Sequence, residues 1–336
     1  QNVKFDEHEI KQKFELIEST SFNIYKSRNI INELKDKDRY YQICQYRPFD
    51  YRYLFYHESI IDRPRKEIML NIQENNFALI SGRAGHVVGG KNWNLVFVTN
   101  IISDLNLFYR GGSVLFPAYI LKNGEENIFF GVKEPAPEYN AGRTASGLFK
   151  SENFTPEFRE FIDGKYNTHK PFSPEEIIGY IYAILHCPSY REKYSEALML
   201  DFPAVPFCDS AELFEKLSSL GLDLIQKHLL KSIPSGEDFR ILGENKGNGD
   251  NIILKPSYNP SSKALFYNKT QYFADIPEEV YEFNIGGYQV LNKYLKDRKG
   301  RLLSLDEITN IENVVKVLVY TIEQMKKIDI LAEEWI

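Results

Sequence analysis

Cysteine is scarce and scattered: Cys44, Cys187 and Cys208 stand singly, with no CxxC pair. That argues against a disulfide framework or a structural zinc site and fits a reducing cytoplasm. No apolar run approaches the ~20 residues needed to cross a bilayer, and no signal peptide is visible. Positive charge is not in excess either. The formal net charge is −6, which argues against a protein that coats DNA indiscriminately. Site-specific DNA contact stays open, because the local field along one groove is what counts. An initiator Met is also missing. The chain opens on Gln1 and enters a charged amphipathic stretch, as a piece of a longer polypeptide would.

Catalytic signatures are missing in turn. A methyltransferase needs a glycine-rich turn after its first strand, and an adenine-type enzyme needs an Asn/Asp-Pro-Pro-aromatic motif. Asn259-Pro260-Ser261-Ser262 lacks the second proline and the aromatic residue. Gly247-Asn248-Gly249 is too short for a dinucleotide fingerprint, and Gly82-Arg83-Ala84-Gly85 lacks the Gly-Lys-Ser/Thr ending of a phosphate-binding loop. His186-Cys187 with the distant Cys208 does not have metal-ligand spacing. The acid pairs Glu175-Glu176 and Glu278-Glu279 lie at helix starts, where carboxylates favour the positive end of the dipole.

What is present is aromatic. The 23 Phe and 22 Tyr either fill a core or line an interface. With 336 residues, two lobes are expected. Charge is segregated: Tyr288–Arg301 holds five cations and one acid, a net of +4, whereas Leu302 to the end holds seven acids and three lysines, a net of −4.

The pattern predicts an α+β fold: a β-rich lobe, then a helical lobe with a small hairpin and a long C-terminal amphipathic helix. Residues 1–40 suit one or two lead-in helices. The aromatic run Tyr46–Tyr56, broken by Pro48, suits an edge strand or a strand preceded by a turn. Further strands are expected at Phe77–Ile80, Trp93–Thr99, Val114–Leu121 and Asn127–Val132. Ser173-Pro174-Glu175-Glu176 is a capping box with Pro at the first helical position, opening a deeply buried helix over Ile177–Leu185. Asp209-Ser210-Ala211-Glu212 opens another, with Leu213, Leu217, Leu220 and Leu224 on one stripe. Residues 234–251 read as a loop, and Ile252–Lys255 with Ala264–Asn268 as a hairpin. Ser304-Leu305-Asp306-Glu307 caps the last helix, whose apolar seam runs from Ile308 to Met325. The boundary is placed at 170: residues 1–170 form the first lobe and 171–336 the second, with the hairpin at about 252–268.

Four stretches resemble the C-terminal specificity region of type ISP restriction–modification enzymes, with related wording in fused type IIG/IIL enzymes. They are Tyr46-Arg47-Pro48-Phe49-Asp50 with Arg63-Pro64-Arg65; Phe172 to Glu176 with Tyr180 to Ala183; Ile285 to Gln289 with Leu295 to Arg301; and Thr321-Ile322 with Met325 and Ile328-Asp329. They span nearly the whole chain in consistent order. The resemblance implies sequence-specific recognition of double-stranded DNA beside an upstream adenine methyltransferase domain of the same polypeptide. S-adenosylmethionine, Mg²⁺ and, where a motor is present, ATP would then serve the parent and not this fragment. The alternatives are a protein-interaction scaffold, or an unrecognised nuclease or methyltransferase fragment.

Under that reading base contacts fall to Arg83, Lys91, Asn92 and Arg110, in glycine-bearing loops that a sheet would hold stiff. Phosphate contacts fall to Lys293, Lys296, Arg298, Lys299 and Arg301, after a Gly286-Gly287 step that allows close backbone approach. Arg47, Arg52, Arg63 and Arg65 contact DNA or brace the lobe through Asp50, Glu58 and Asp62.

Overall fold

In the computed structural model, residues 7–15, 18, 22–72, 75–83, 93–108, 112–122, 140–333 and 335–336 are described. The lead-in is two helices, α1 (Glu7–Phe14) and α2 (Ile24–Glu33), the second capped by the Asn23 side chain on the Lys26 N–H. The Tyr46–Tyr56 run forms a hairpin between β1 (Tyr41–Arg47) and β2 (Asp50–Phe55). Its turn puts Phe49 at φ +61°, a conformation that costs a bulky side chain roughly 1–3 kcal/mol. The compensation is burial. The Phe49 ring is fully enclosed, edge-on to Phe97 at 5.0 Å and to His228 at 5.7 Å, and burying such a ring returns roughly 1.5–3 kcal/mol.

After the short helix α3 (Lys66–Met69) the chain builds small sheets from β3 (Ala78–Gly82), β4 (Val96–Thr99), β5 (Ile102–Ser103) and β6 (Ser113–Pro117). β3 lies between β4 and β6, all antiparallel, and β5 pairs parallel with β1. Every residue of β3 and β4 is buried, which explains their continuous apolar composition. The single strand expected at Val114–Leu121 is two. Ala118 leaves the ladder, and β7 (Tyr119–Lys122) joins a second sheet with β8 (Asn140–Arg143) and β9 (Phe149–Glu152). The switch is pinned by Ala118 N–H on Phe77 O and Asn153 N–H on Ala118 O. The expected strand Asn127–Val132 lies outside the described residues.

Helices follow: α4 (Pro156–Tyr166), α5 (Pro174–His186), α6 (Pro188–Lys193), α7 (Ser195–Leu198) and α8 (Ala211–His228). The Ser173 capping box forms with Glu176, and Ser210 caps α8 through the Leu213 N–H. α5 and α8 cross where two glycines meet: a Cβ on Gly221 would stand 1.8 Å from the Gly179 carbonyl oxygen. The buried face of α8 is centred on Phe214, Leu217, Gly221, Leu224 and Ile225, so Leu213 and Leu220 sit at its margins.

The expected loop 234–251 contains a turn of helix, α9 (Glu237–Arg240), and β10 (Asn245–Lys246). The hairpin strands are β11 (Ser257–Asn259) and β12 (Ala264–Phe266), with β13 (Tyr272–Phe273) completing the sheet. Ile252–Lys255 is not the outer strand; Ile252 instead bridges to Leu302. Then come α10 (Glu278–Tyr281), the small hairpin β14 (Asn284–Ile285) and β15 (Tyr288–Gln289), α11 (Val290–Lys296) and the long α12 (Leu305–Ala332). Its Ser304–Glu307 capping box forms as expected. Its buried face is broader than a seam, taking in Val314, Val317 and Thr321 and turning to Gln324, Ile328 and Ala332 at the far end. The architecture is α+β, and most of its buried apolar residues form one cluster from Phe49 to Ala332.

Candidate nucleic-acid interface

The basic segment after Gly286-Gly287 sorts itself by helical periodicity. Val290, Leu291, Tyr294 and Leu295 face inward on α11, and the next position on that face is Arg298. Arg298 is only 3% exposed. Its guanidinium donates to Asp50 Oδ1 at 2.6 Å and Oδ2 at 3.1 Å, to Glu307 Oε1 at 2.8 Å and to the Tyr294 carbonyl at 3.2 Å. It also lies 3.6 Å from the centroid of the Tyr294 ring. Four of the five guanidinium N–H groups are engaged and the side chain is enclosed, out of a phosphate's reach, so the expectation of a phosphate contact is corrected: Arg298 is a clasp. Lys293 is half-buried and paired within its own helix end. Its Nζ is 2.5 Å from Asp297 Oδ1 and 5.2 Å from the Tyr288 ring centroid.

The clasp extends into the β1–β2 hairpin. Arg47 pairs with Asp104 at 3.2 Å, and Arg52 with Asp50 at 3.0 Å and Asp297 at 3.7 Å. Both guanidinium groups sit 3.8 Å from the Tyr46 ring centroid. Both arginines thus make bracing contacts. Their carboxylate partners Asp104 and Asp297, and the rings of Tyr46, Tyr288 and Tyr294, are the residues that sequence reasoning missed. Tyr46, Tyr288 and Asp297 fall, like Asp50 and Arg298, inside the four motif stretches, but nothing in those stretches marks them as one another's partners.

Lys296, Lys299 and Arg301 point outward. Lys296 and Lys299 are exposed and have no ion pair among the described residues. Arg301 is 57% exposed and touches Glu307 at 3.1 Å, a surface pair of little strength. The close approach that Gly286-Gly287 permits is internal. Gly286 has φ +60°, a Cβ there would lie 2.6 Å from Phe108 O, and the Gly287 N–H donates to that same carbonyl at 2.9 Å. Asn94 Nδ2 donates to Asn284 O at 3.1 Å, so the β14–β15 turn is bolted to the loops flanking β4.

Arg83 follows β3 directly and is 64% exposed, 3.0 Å from Asp201 and 5.1 Å from the Phe202 ring centroid. Lys91, Asn92 and Arg110 lie outside the described residues. Arg63 and Arg65 flank Pro64 at φ +54° and +47° and are both exposed. Arg63 comes no nearer than 4.0 Å to Asp62, and Arg65 has no ion-pair partner among the described residues. Both stand at a cavity of about 840 Å³ between β1–β2, α3 and the β5–β6 region.

The residues considered for metal are otherwise engaged. His186 Nδ1 bonds the Tyr182 carbonyl at 2.8 Å, Cys187 Sγ faces Asp329 at 3.2 Å, and Cys208 is held by Tyr166 and Ser210. Burial pushes the Cys187 thiol up to about 12, so it stays protonated. Among the described residues no group of three or more His, Cys, Asp or Glu could hold a metal ion, and no helix is long and apolar enough to cross a membrane.

The profile of the Type ISP C-terminal specificity domain matches residues 2–327. No curated protein sequence matches the chain. Similar solved structures include the ATP-dependent Type ISP restriction-modification enzyme LlaBIII bound to DNA, at 20% identity and TM-score 0.62 over 86% of this chain and 18% of that one. A nuclease-deletion mutant of the Type ISP enzyme LlaGI with a DNA substrate mimic matches at 17% identity and TM-score 0.56, over 86% and 20%. A DrdV–DNA complex matches at 19% identity and TM-score 0.61, over 87% and 28%. The likeness is one of fold, and the chain spans about a fifth of the length of the first two.

Proposed function

The chain belongs to the Type ISP C-terminal specificity domain family, and from that premise we propose that it selects the double-stranded DNA site on which a larger restriction–modification polypeptide acts. The observation that carries this reading is the sorting of the basic segment. Lys293 and Arg298 are tied down internally, while Lys296, Lys299 and Arg301 are presented to solvent from the backbone so fixed. Fixed, outward cations set register on a phosphate backbone at small entropic cost. Arg63 and Arg65 extend that set. Base reading falls to Arg83, with Lys91, Asn92 and Arg110 completing it.

Residues 1–170 would then form the reading lobe and 171–336 the supporting lobe. An upstream adenine methyltransferase domain would supply catalysis, with S-adenosylmethionine, Mg²⁺ and ATP serving parts of the parent outside this chain. We assign no catalytic step to these residues. The face formed by Tyr41, Ile43 and Tyr53, the last 83% exposed, supports a docking contact with that upstream domain.

The test is a segment exchange. Residues 1–336 of the intact enzyme are replaced by the corresponding region of a relative, and methylated adenines are mapped in a host carrying each version. The methylated sequence should travel with the segment. If it stays with the rest of the polypeptide, the reading fails.

A further inference from the structure

The cavity beside the β1–β2 hairpin is not used by the clasp. Its volume of about 840 Å³ lies within the range of small-molecule sites. Its interior is apolar, with Leu54, Met69, Ile102 and Leu115 on the walls and the rings of Tyr53 and Tyr56 beside them. Ser103 also lines it, 6% exposed, and its buried hydroxyl has no hydrogen-bond partner among the described residues. Native proteins rarely leave such a group unsatisfied.

Charge gives the ligand its second half. Asp104 at the cavity is answered by Arg47, and Arg52 by Asp50 and Asp297. What remains is Arg63, whose pair with Asp62, itself on the cavity wall, is long at 4.0 Å, and Arg65, which has no ion pair among the described residues. Both are held in the left-handed region on either side of Pro64, whose carbonyl accepts the Tyr56 hydroxyl. Strained backbone that presents two cations at a cavity is a feature of ligand clamps. An apolar slot that takes a flat ring, beside guanidinium groups that take an anion, matches a base with its phosphate.

We propose that this cavity binds a single nucleotide unit, the base in the apolar interior and the phosphate on Arg63 and Arg65. The unit is either a free nucleotide or one swung out of a bound duplex; in the second case the proposal rests on the DNA-recognition reading.

The experiment uses the whole chain and two probes. Calorimetry with deoxyadenosine monophosphate and with deoxyadenosine should show a preference for the phosphorylated form of about tenfold, erased in Arg65→Ala. Fluorescence titration with a duplex bearing one extrahelical 2-aminopurine, against the fully paired duplex, should show quenching and a preference of about tenfold. Val114→Trp, at an exposed strand position that lines the cavity, should remove that preference and leave paired-duplex binding unchanged. Saturable binding of the monophosphate without preference for the bulged duplex identifies the free nucleotide as the source. Failure of both probes overturns the proposal; paired-duplex binding that survives this failure leaves the DNA reading standing. Nucleotide binding with no duplex binding sinks the DNA reading alone. Val114→Trp binding both probes like the wild type also overturns the proposal, and Arg65→Ala gives an independent answer should the tryptophan variant not fold.

Discussion

Arg298 reaches back 248 residues to Asp50 and closes on both of its carboxylate oxygens, at 2.6 and 3.1 Å. The pair joins two of the four motif stretches, Tyr46–Asp50 and Leu295–Arg301, and it locks the hairpin turn to the start of α12 through Glu307. Buried ion pairs contribute modest net stability when intact but are expensive to break.

Arg298→Met should therefore destabilise the fold by about 3–5 kcal/mol, because Asp50 is left charged and enclosed. Urea unfolding measures this. A variant as stable as the wild type, whose DNA binding has instead lost salt dependence, would return Arg298 to the phosphate set.

The outward cations should behave oppositely. Lys296→Ala, Lys299→Ala and Arg301→Ala should each change stability by no more than about 0.5 kcal/mol. Each should weaken binding to all sequences alike and reduce the logarithmic salt slope by about 1. Titrations at several salt concentrations separate the two groups.

Arg83→Ala should relax selection at one position of the recognised site, at a cost of roughly 1–3 kcal/mol against the preferred base. Methylome mapping in the intact enzyme reads this directly. Unchanged sequence choice would reduce Arg83 to the partner of Asp201.

Acid should loosen the core before it affects the surface. His228 is fully enclosed: Nδ1 accepts from the Tyr182 hydroxyl at 2.6 Å, and Nε2 donates to Thr321 Oγ1 at 2.9 Å, since that hydroxyl itself donates to Val317 O. Burial pushes its pKa down to about 3, and burial with nearby Arg191 and His228 pushes His186 well below 6.5. A histidine with a depressed folded pKa takes up a proton on unfolding. Its contribution is complete above about pH 6.5 and is lost as pH falls, at about 1.4 kcal/mol per pH unit for each histidine. His228→Gln should flatten the stability profile between pH 6 and 4 by about one such slope. An unchanged profile would remove His228 from this account.

At the α5–α8 crossing, Gly221→Ala should cost roughly 3 kcal/mol, the upper end for overpacking, because the added methyl meets a backbone carbonyl that cannot swing aside. Gly300→Ala, where nothing stands within 4 Å but φ is +79°, isolates the smaller backbone cost. Thermal melts of the two variants should rank in that order.

Local chemistry was legible without coordinates. The capping boxes at Ser173 and Ser304 satisfy helix-end N–H groups within four residues, so nothing distant bears on them. The buried strands β3 and β4 were legible for the same reason, since composition alone marks a strand enclosed on both faces. The hairpin at 252–268 was visible, but its outer strand was misplaced because Ile252 finds its partner at Leu302, fifty residues on. Val114–Leu121 read as one strand because nothing in those residues records that Asn153 and Phe77 take over at Ala118.

The sequence by itself determined the class of fold, the starts of three helices and the presence of a basic segment, since each depends on neighbours a few residues away. Tertiary structure alone decided which of those cations are free. Arg298 and Lys299 are adjacent cations of one segment, and the arrival of Asp50 from 248 residues away encloses the first while the second stays exposed. Desolvation makes that meeting decisive, because an enclosed guanidinium must be paired, whereas one in water is left to bind something else.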